Sequence, residues 1–216
     1  MISIPIQIKT MQSHYDYSVI WEFLQEKGVN IYGDKFKLIE EDTLVILKLL
    51  AYFLQVSLLS EQFHIDLNKG IMLTGPVGCG KTSLLNLMRY FIPPECRYSI
   101  KPCREIAHAY TEEGYQVIQR YTRQSYNPYN QDPVTFCFDD LGLEETLVQY
   151  YGNNCNAMSE ILLSRYDQFI HHDMKTHITT NLSAQEIQDS YGVRVRSRCR
   201  EMFNLIAFSN TSTDKR

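Results

Sequence analysis

Residues 75–83 read GPVGCGKTS, and they lie between the apolar run GIMLT (70–74) and the segment SLLNLMRYF (83–91). GIMLT is short, apolar and bounded by glycine, which predicts a buried strand. SLLNLMRYF has helical spacing, with Leu84, Leu87, Met88 and Phe91 on one face. A strand must therefore turn into a helix through a loop carrying three glycines and a lysine. Glycines let the backbone fold tightly and bring its N–H groups against phosphate oxygens, and the helix beginning near Lys81 adds the positive end of its dipole. In this reading Gly75, Pro76, Val77, Gly78, Cys79, Gly80, Lys81, Thr82 and Ser83 form a phosphate-binding loop. Lys81 neutralises the β- and γ-phosphates of ATP, and the Thr82 hydroxyl ligates Mg²⁺. Cys79 is either a thiol activated by the helix N–H groups or an inert small residue.

Such a loop needs a carboxylate on a neighbouring strand. VTFCF (134–138) predicts that strand, and Asp139 and Asp140 follow it directly. Asp139 stands where a Mg²⁺-holding carboxylate belongs, and Asp140 can orient and deprotonate an attacking water. Asn181 follows the strand THITT (176–180), where its amide either positions water or serves as a turn residue. RVRSRCR places Arg194, Arg196, Arg198 and Arg200 at alternate positions. This cluster is a solvated face, a contact to nucleic acid, or a source of positive charge for a neighbouring subunit's ATP.

The remaining pattern predicts helices over 14–27, 42–59, 103–125, 157–170 and 183–192, with turns at 28–37, a loop at 126–133 and further strands at 97–102 and 203–208. Strands alternating with helices argue for an α/β sandwich with a mainly parallel sheet. The run TLVILKLLAYFLQVSLL (43–59) is interrupted by Lys48 and Gln55, which predicts a buried helix and no membrane span. Six cysteines without CxxC spacing and no secretory leader predict a reduced, cytoplasmic protein. A net charge of −4 excludes a surface that grips nucleic acid all over, so any such contact is local.

Four motifs in one order, GPVGCGKT, FCFDDLG, THITTNLS and YGVRVRSRCREM, resemble the AAA+ P-loop ATPases. Within them the DDLG ending, ILLSRYDQF and the RVRSR box are similar to DnaC-type helicase loaders and IstB-type transposition helper ATPases. The resemblance covers residues 65–208 and implies a three-layer α/β/α fold with sheet order 5-1-4-3-2. It makes Lys81 and Thr82 the Walker A pair, Asp139 and Asp140 the Walker B pair, Asn181 sensor 1, Arg198 the arginine finger and Arg194 its helper. It implies an ATPase core over 63–208 behind a helical N-terminal extension (1–62), a polar tail (209–216), and no C-terminal helical lid. The sensor 2 arginine is then either missing or replaced by Lys215 or Arg216. The function implied is that of a Mg²⁺-dependent ATP switch loading a replicative helicase. The alternatives are a DNA-binding helper of a mobile element and a regulatory nucleotide-binding module. The partners implied are single-stranded DNA, a helicase or transposase, and further copies in a head-to-tail ring or filament.

Overall fold

In the computed structural model, which describes residues 16–209 and residue 212, five apolar runs form one parallel sheet. They are β1 (Gly70–Thr74), β2 (Ser99–Pro102), β3 (Phe136–Leu141), β6 (Thr176–Thr180) and β7 (Phe203–Ala207). Between β3 and β6 lies an antiparallel hairpin, β4 (Val148–Tyr150) and β5 (Asn153–Cys155), that the sequence pattern does not predict. The sheet order is β2-β3-β6-β1-β7. With the hairpin set aside and its five strands counted in chain order, the sheet runs 2-3-4-1-5, which is the expected 5-1-4-3-2 read from the opposite edge.

Alternation along β1 divides the core. Ile71 and Leu73 face a cluster built with α1 (Tyr17–Tyr32), α2 (Thr43–Phe53) and α4 (Lys81–Met88), while Met72 faces the other side. There it meets a cluster that draws on α5 (Cys103–Glu113), α6 (Tyr115–Tyr121), α7 (Ala157–His172) and α8 (Ala184–Met202). These are the three layers expected.

Three helix expectations need correction. The single helix over 42–59 is two, because Gln55 takes a left-handed conformation (φ 52°) and Val56 donates its N–H to Ala51 O; α3 (Ser57–Gln62) follows. The helix over 103–125 breaks at Gly114 (φ 62°). The helix over 183–192 stops at Gly192 as expected, since that residue is non-helical (φ 89°, ψ 162°); a second helical segment follows the kink directly and carries all four arginines to Met202, and the two together are α8. The helix over 14–27 continues as α1 through Gly28 to Tyr32. Gly28 here is a packing residue, since a Cβ would fall 1.9 Å from the Phe36 ring. Among the described residues no helix is long and apolar enough to cross a membrane, and the six cysteines form no disulfide.

Two basic side chains are buried against the sheet, Arg165 of α7 and His177 of β6. The Arg165 guanidinium, fully buried, donates to Thr176 Oγ1 and to the carbonyls of Tyr121, Val134 and Lys175, and burial lowers its pKa to about 9. It thereby ties α6, the entry to β3 and the start of β6 together. His177 on β6 accepts the Ile71 N–H of β1 at its Nδ1 (3.0 Å), so the ring is neutral. Burial, with Lys175 and Arg165 nearby, pulls its pKa from 6.5 to about 3. The unfolded chain therefore takes up a proton on this residue that the native state refuses. Native stability is expected to fall as pH drops below about 6.5, by about 1.4 kcal/mol per pH unit until about pH 3. Urea unfolding at pH 7, 6 and 5 checks this: His177→Gln, which does not titrate, should show a slope shallower by about one proton.

Candidate nucleotide-binding site

The loop of residues 75–80 leaves the carboxyl end of β1 and enters α4, whose N-cap is Gly80. Gly78 and Gly80 take φ of 80° and 94°, conformations closed to most side chains. Lys81 is only 6% exposed, and its Nζ donates to Gly75 O (2.9 Å) and Pro76 O (2.8 Å). The loop's own carbonyls thus hold the ammonium at its mouth. Cys79 is fully buried, with Sγ 4.0 Å from Lys81 Nζ. Of the two readings of Cys79, its burial favours the inert small residue.

β3 begins two residues later than the apolar run 134–138 and ends three residues beyond it, at Leu141, so it includes both aspartates. Its register against β6 shifts between Phe138 and Leu141. This bulge aims Asp139 and Asp140 differently. Asp139 Oδ1 accepts from Thr82 Oγ1 (2.8 Å) and Thr179 Oγ1 (2.6 Å). Burial raises the Asp139 carboxyl above its usual range, and those two hydroxyls pull it partly back. Asp140 sits at φ 56°, which aspartate tolerates better than most residues, and donates its N–H to Thr179 Oγ1 (2.8 Å). Thr82 and Asp139 offer hard oxygen donors of the kind Mg²⁺ takes. Among the described residues no group of three or more His, Cys, Asp or Glu could hold a metal, and Mg²⁺ at phosphates needs no such group.

A cavity of about 320 Å³ opens above this arrangement. Val77, Gly78, Gly80, Lys81, Thr82, Ser83, Asp140 and Asn181 all line it, so residues from β1, β3 and β6 that lie far apart in sequence converge on one space. Asn181 follows β6 directly, as expected.

The opposite wall was missed in the sequence. Tyr32, Lys35 and Phe36 also line the cavity, from the segment expected only as turns. The rings of Tyr32 and Phe36 stack with centroids 5.6 Å apart at 27°. Gln25 pins this arch at two points, donating to Phe36 O (2.9 Å) and accepting from Leu38 N–H (2.8 Å), while Asn86 of α4 donates to the Tyr32 hydroxyl (2.8 Å). Glu144 was missed as well. Buried, it accepts from Gly142 N–H (2.8 Å) and from the Tyr191 hydroxyl, and so fixes the turn after Asp140 to α8. An aromatic pair around Gly-Asp and a glutamate two residues past a glycine were the available signals.

Arg198 does not line the nucleotide cavity. It lies on α8 over the Tyr166 ring (4.2 Å to the centroid) and donates to Tyr166 Oη and Glu201 Oε1, both at 3.2 Å. With Arg194 it lines a separate cleft of about 500 Å³ between α7 and α8. Arg196 turns elsewhere, donating to Gln188 Oε1 (2.6 Å). Lys215 and Arg216 lie outside the described residues.

No protein-family model and no curated protein sequence matches the chain. Solved structures do. The DnaC helicase loader matches with TM-score 0.57 at 16% identity, over 85% of this chain and 99% of that one. AMPPCP-bound DnaA from Aquifex aeolicus matches with TM-score 0.54 at 16% identity, over 81% of this chain and 48% of that one. At such identities the likeness concerns the fold alone, and the chain shares with these two proteins a mainly parallel five-stranded sheet flanked by helices.

Proposed function

We propose that the chain binds ATP with Mg²⁺, hydrolyses it, and uses the cycle as a switch in DNA replication, loading a replicative helicase. The observation that carries the nucleotide part is the 2.8 Å contact of Thr82 Oγ1 with Asp139 Oδ1 beneath a glycine loop that also presents Lys81. On binding, Lys81 exchanges the Gly75 and Pro76 carbonyls for β- and γ-phosphate oxygens. Thr82 and Asp139 would hold the Mg²⁺, which would neutralise charge on the phosphates when bound. Asp140 takes the proton of the attacking water, and the Asn181 amide orients that water. Tyr32 and Phe36 offer an aromatic wall to the base. Arg198 serves a neighbour's site, so ATP-bound copies assemble head to tail. The loader role is supported by the likeness to the DnaC helicase loader, which extends over 99% of that chain. Single-stranded DNA and the helicase are the partners in this reading.

Lys81→Ala tests the nucleotide site. Removing the one ammonium in the loop should weaken ATP binding by at least about 100-fold, read by equilibrium binding of a fluorescent ATP analogue. Unchanged affinity would reject the phosphate-loop assignment. The loader role is tested separately, by assembly of a purified replicative helicase onto circular single-stranded DNA. The wild-type protein with ATP should accelerate it and Lys81→Ala should not. No acceleration by a protein that does hydrolyse ATP would leave the ATPase standing and remove the loader.

A further inference from the structure

The two edges of the sheet, β2 and β7, are finished differently. β2 reads SIKP, and its Lys101 and Pro102 discourage a further strand from pairing. β7 reads FNLIA and has neither a charge nor a proline. Phe208 donates its N–H to Thr74 O (2.9 Å), and Phe203 donates to Cys199 O at the end of α8. By alternation, the amides of Leu205 and Ala207 point away from β1 into the open edge. Leu205 is 65% exposed, beside a groove of about 480 Å³ lined by Met72, Leu182, Ile187 and Phe203.

Two arginines share that groove. Arg196 and Arg200 of α8 line it with the apolar residues, and no carboxylate does. This runs against a chain whose net charge is −4. Lys69 Nζ, donating to Arg200 O (3.3 Å), adds a third positive charge beside it. The carboxylates of α8 are engaged elsewhere: Glu201 with Tyr166 and Arg198, Glu186 with the Ser183 N–H, and Asp189 with Gln185. Arg196 Nη1 donates to Gln188 Oε1 (2.6 Å), but its Nε is buried without an acceptor among the described residues. The Nε–Nη2 edge of a guanidinium takes a carboxylate through two parallel hydrogen bonds.

We propose that the groove and the β7 edge receive an extended segment of a partner protein, apolar at alternate positions and carrying an aspartate or glutamate on the same face. The segment's backbone pairs with the amides of Leu205 and Ala207, and its side chains confer the selectivity. Its apolar residues cover Phe203 and Leu205, and its carboxylate meets Arg196 and Arg200. A wholly apolar strand would bury both guanidinium groups without a counter-charge, which is unfavourable. A nucleic acid backbone would answer the arginines but would bring no strand to the open amides. The inference is independent of the nucleotide site.

The probe is the capped peptide ETVTVTE, whose valines and glutamates share one face in either strand direction. At about ten times its Kd it should slow amide exchange at Leu205 and Ala207 of the full chain about 10-fold. Exchange at Cys137 and Phe138 on β3 should not change. The peptide KTVTVTK, of opposite charge, should not bind. Arg196→Gln combined with Arg200→Gln should weaken ETVTVTE binding by at least about 10-fold. Wild-type exchange at Cys137 and Phe138 in that variant shows that it folds. The proposal is overturned if ETVTVTE leaves Leu205 and Ala207 unchanged, binds no better than KTVTVTK, or binds the double variant as tightly. It is also overturned if these two amides are protected without peptide. Protection lost on dilution would give the edge to a second copy, and protection that survives dilution would give it to the chain itself. Oligothymidylate binding that needs both arginines, with no binding of ETVTVTE, would give the groove to nucleic acid instead.

Discussion

Arg198→Ala is expected to lower ATP hydrolysis by about 10³-fold or more while leaving nucleotide affinity unchanged. Arg198 touches none of the nucleotide cavity, and its side chain is 43% exposed on the cleft between α7 and α8. Its pairing with Glu201 at that exposure adds little to stability, so alanine should fold normally. The Tyr166 ring and Glu201 hold the guanidinium on this cleft, and in the proposed assembly an adjacent subunit's site would receive it from there. Such a contact is heterologous and propagates into a ring or filament. Wild-type specific activity should then rise with protein concentration. Mixing Arg198→Ala with Lys81→Ala should restore part of the activity, because the first keeps an intact nucleotide site and the second an intact arginine. Flat specific activity together with a dead mixture would assign the cleft of Arg194 and Arg198 to phosphate contacts of nucleic acid, visible as a steep salt dependence of DNA binding.

The second large effect belongs to Asp140. Asp140→Asn should cut hydrolysis by about 10²–10⁴-fold, because the amide cannot take the water's proton. Asparagine adopts positive φ about as readily as aspartate, so the bulge and the Asp140 N–H bond to Thr179 should survive. Nucleotide and Mg²⁺ affinity should therefore stay near wild type. Asp139→Asn should do the reverse, weakening the magnesium-dependent part of binding, since Asp139 is the partner of Thr82. Titrating Mg²⁺ against bound nucleotide, alongside single-turnover hydrolysis, separates the two. Wild-type turnover in Asp140→Asn would move the base to another group.

The strands and the loop were legible because they depend on local pattern. Apolar runs such as GIMLT and THITT can only be buried, and a glycine loop between strand and helix has few other uses. What was not legible depends on tertiary contact. Gly28 reads as a turn residue until Phe36 is found packed on it, and the stop at Gly192 gives no sign of the second helical segment that follows it. The hairpin β4–β5 hides because QYYGNN has weak alternation and its turn is tyrosine-glycine instead of asparagine-glycine. Cys79 was open in the sequence because helix-terminus chemistry and burial act oppositely on a thiol, and only burial can be seen in the fold. Tyr32, Lys35 and Phe36 carry no phosphate-binding signature at all.

That arch gives the molecule a thermodynamic linkage. Gln25 fastens it to α1, Asn86 fastens it to the helix that starts at Lys81, and its aromatic rings wall the nucleotide cavity. Free-energy coupling between two ligands is reciprocal. A protein that grips α1 and displaces the arch must alter nucleotide affinity, and a bound nucleotide must alter the grip of that protein by the same factor. A shift of only about 1.4 kcal/mol in the arch is tenfold in both equilibria. In the proposed ATP cycle, the side chains that shape the pocket would thus make its occupancy readable at α1.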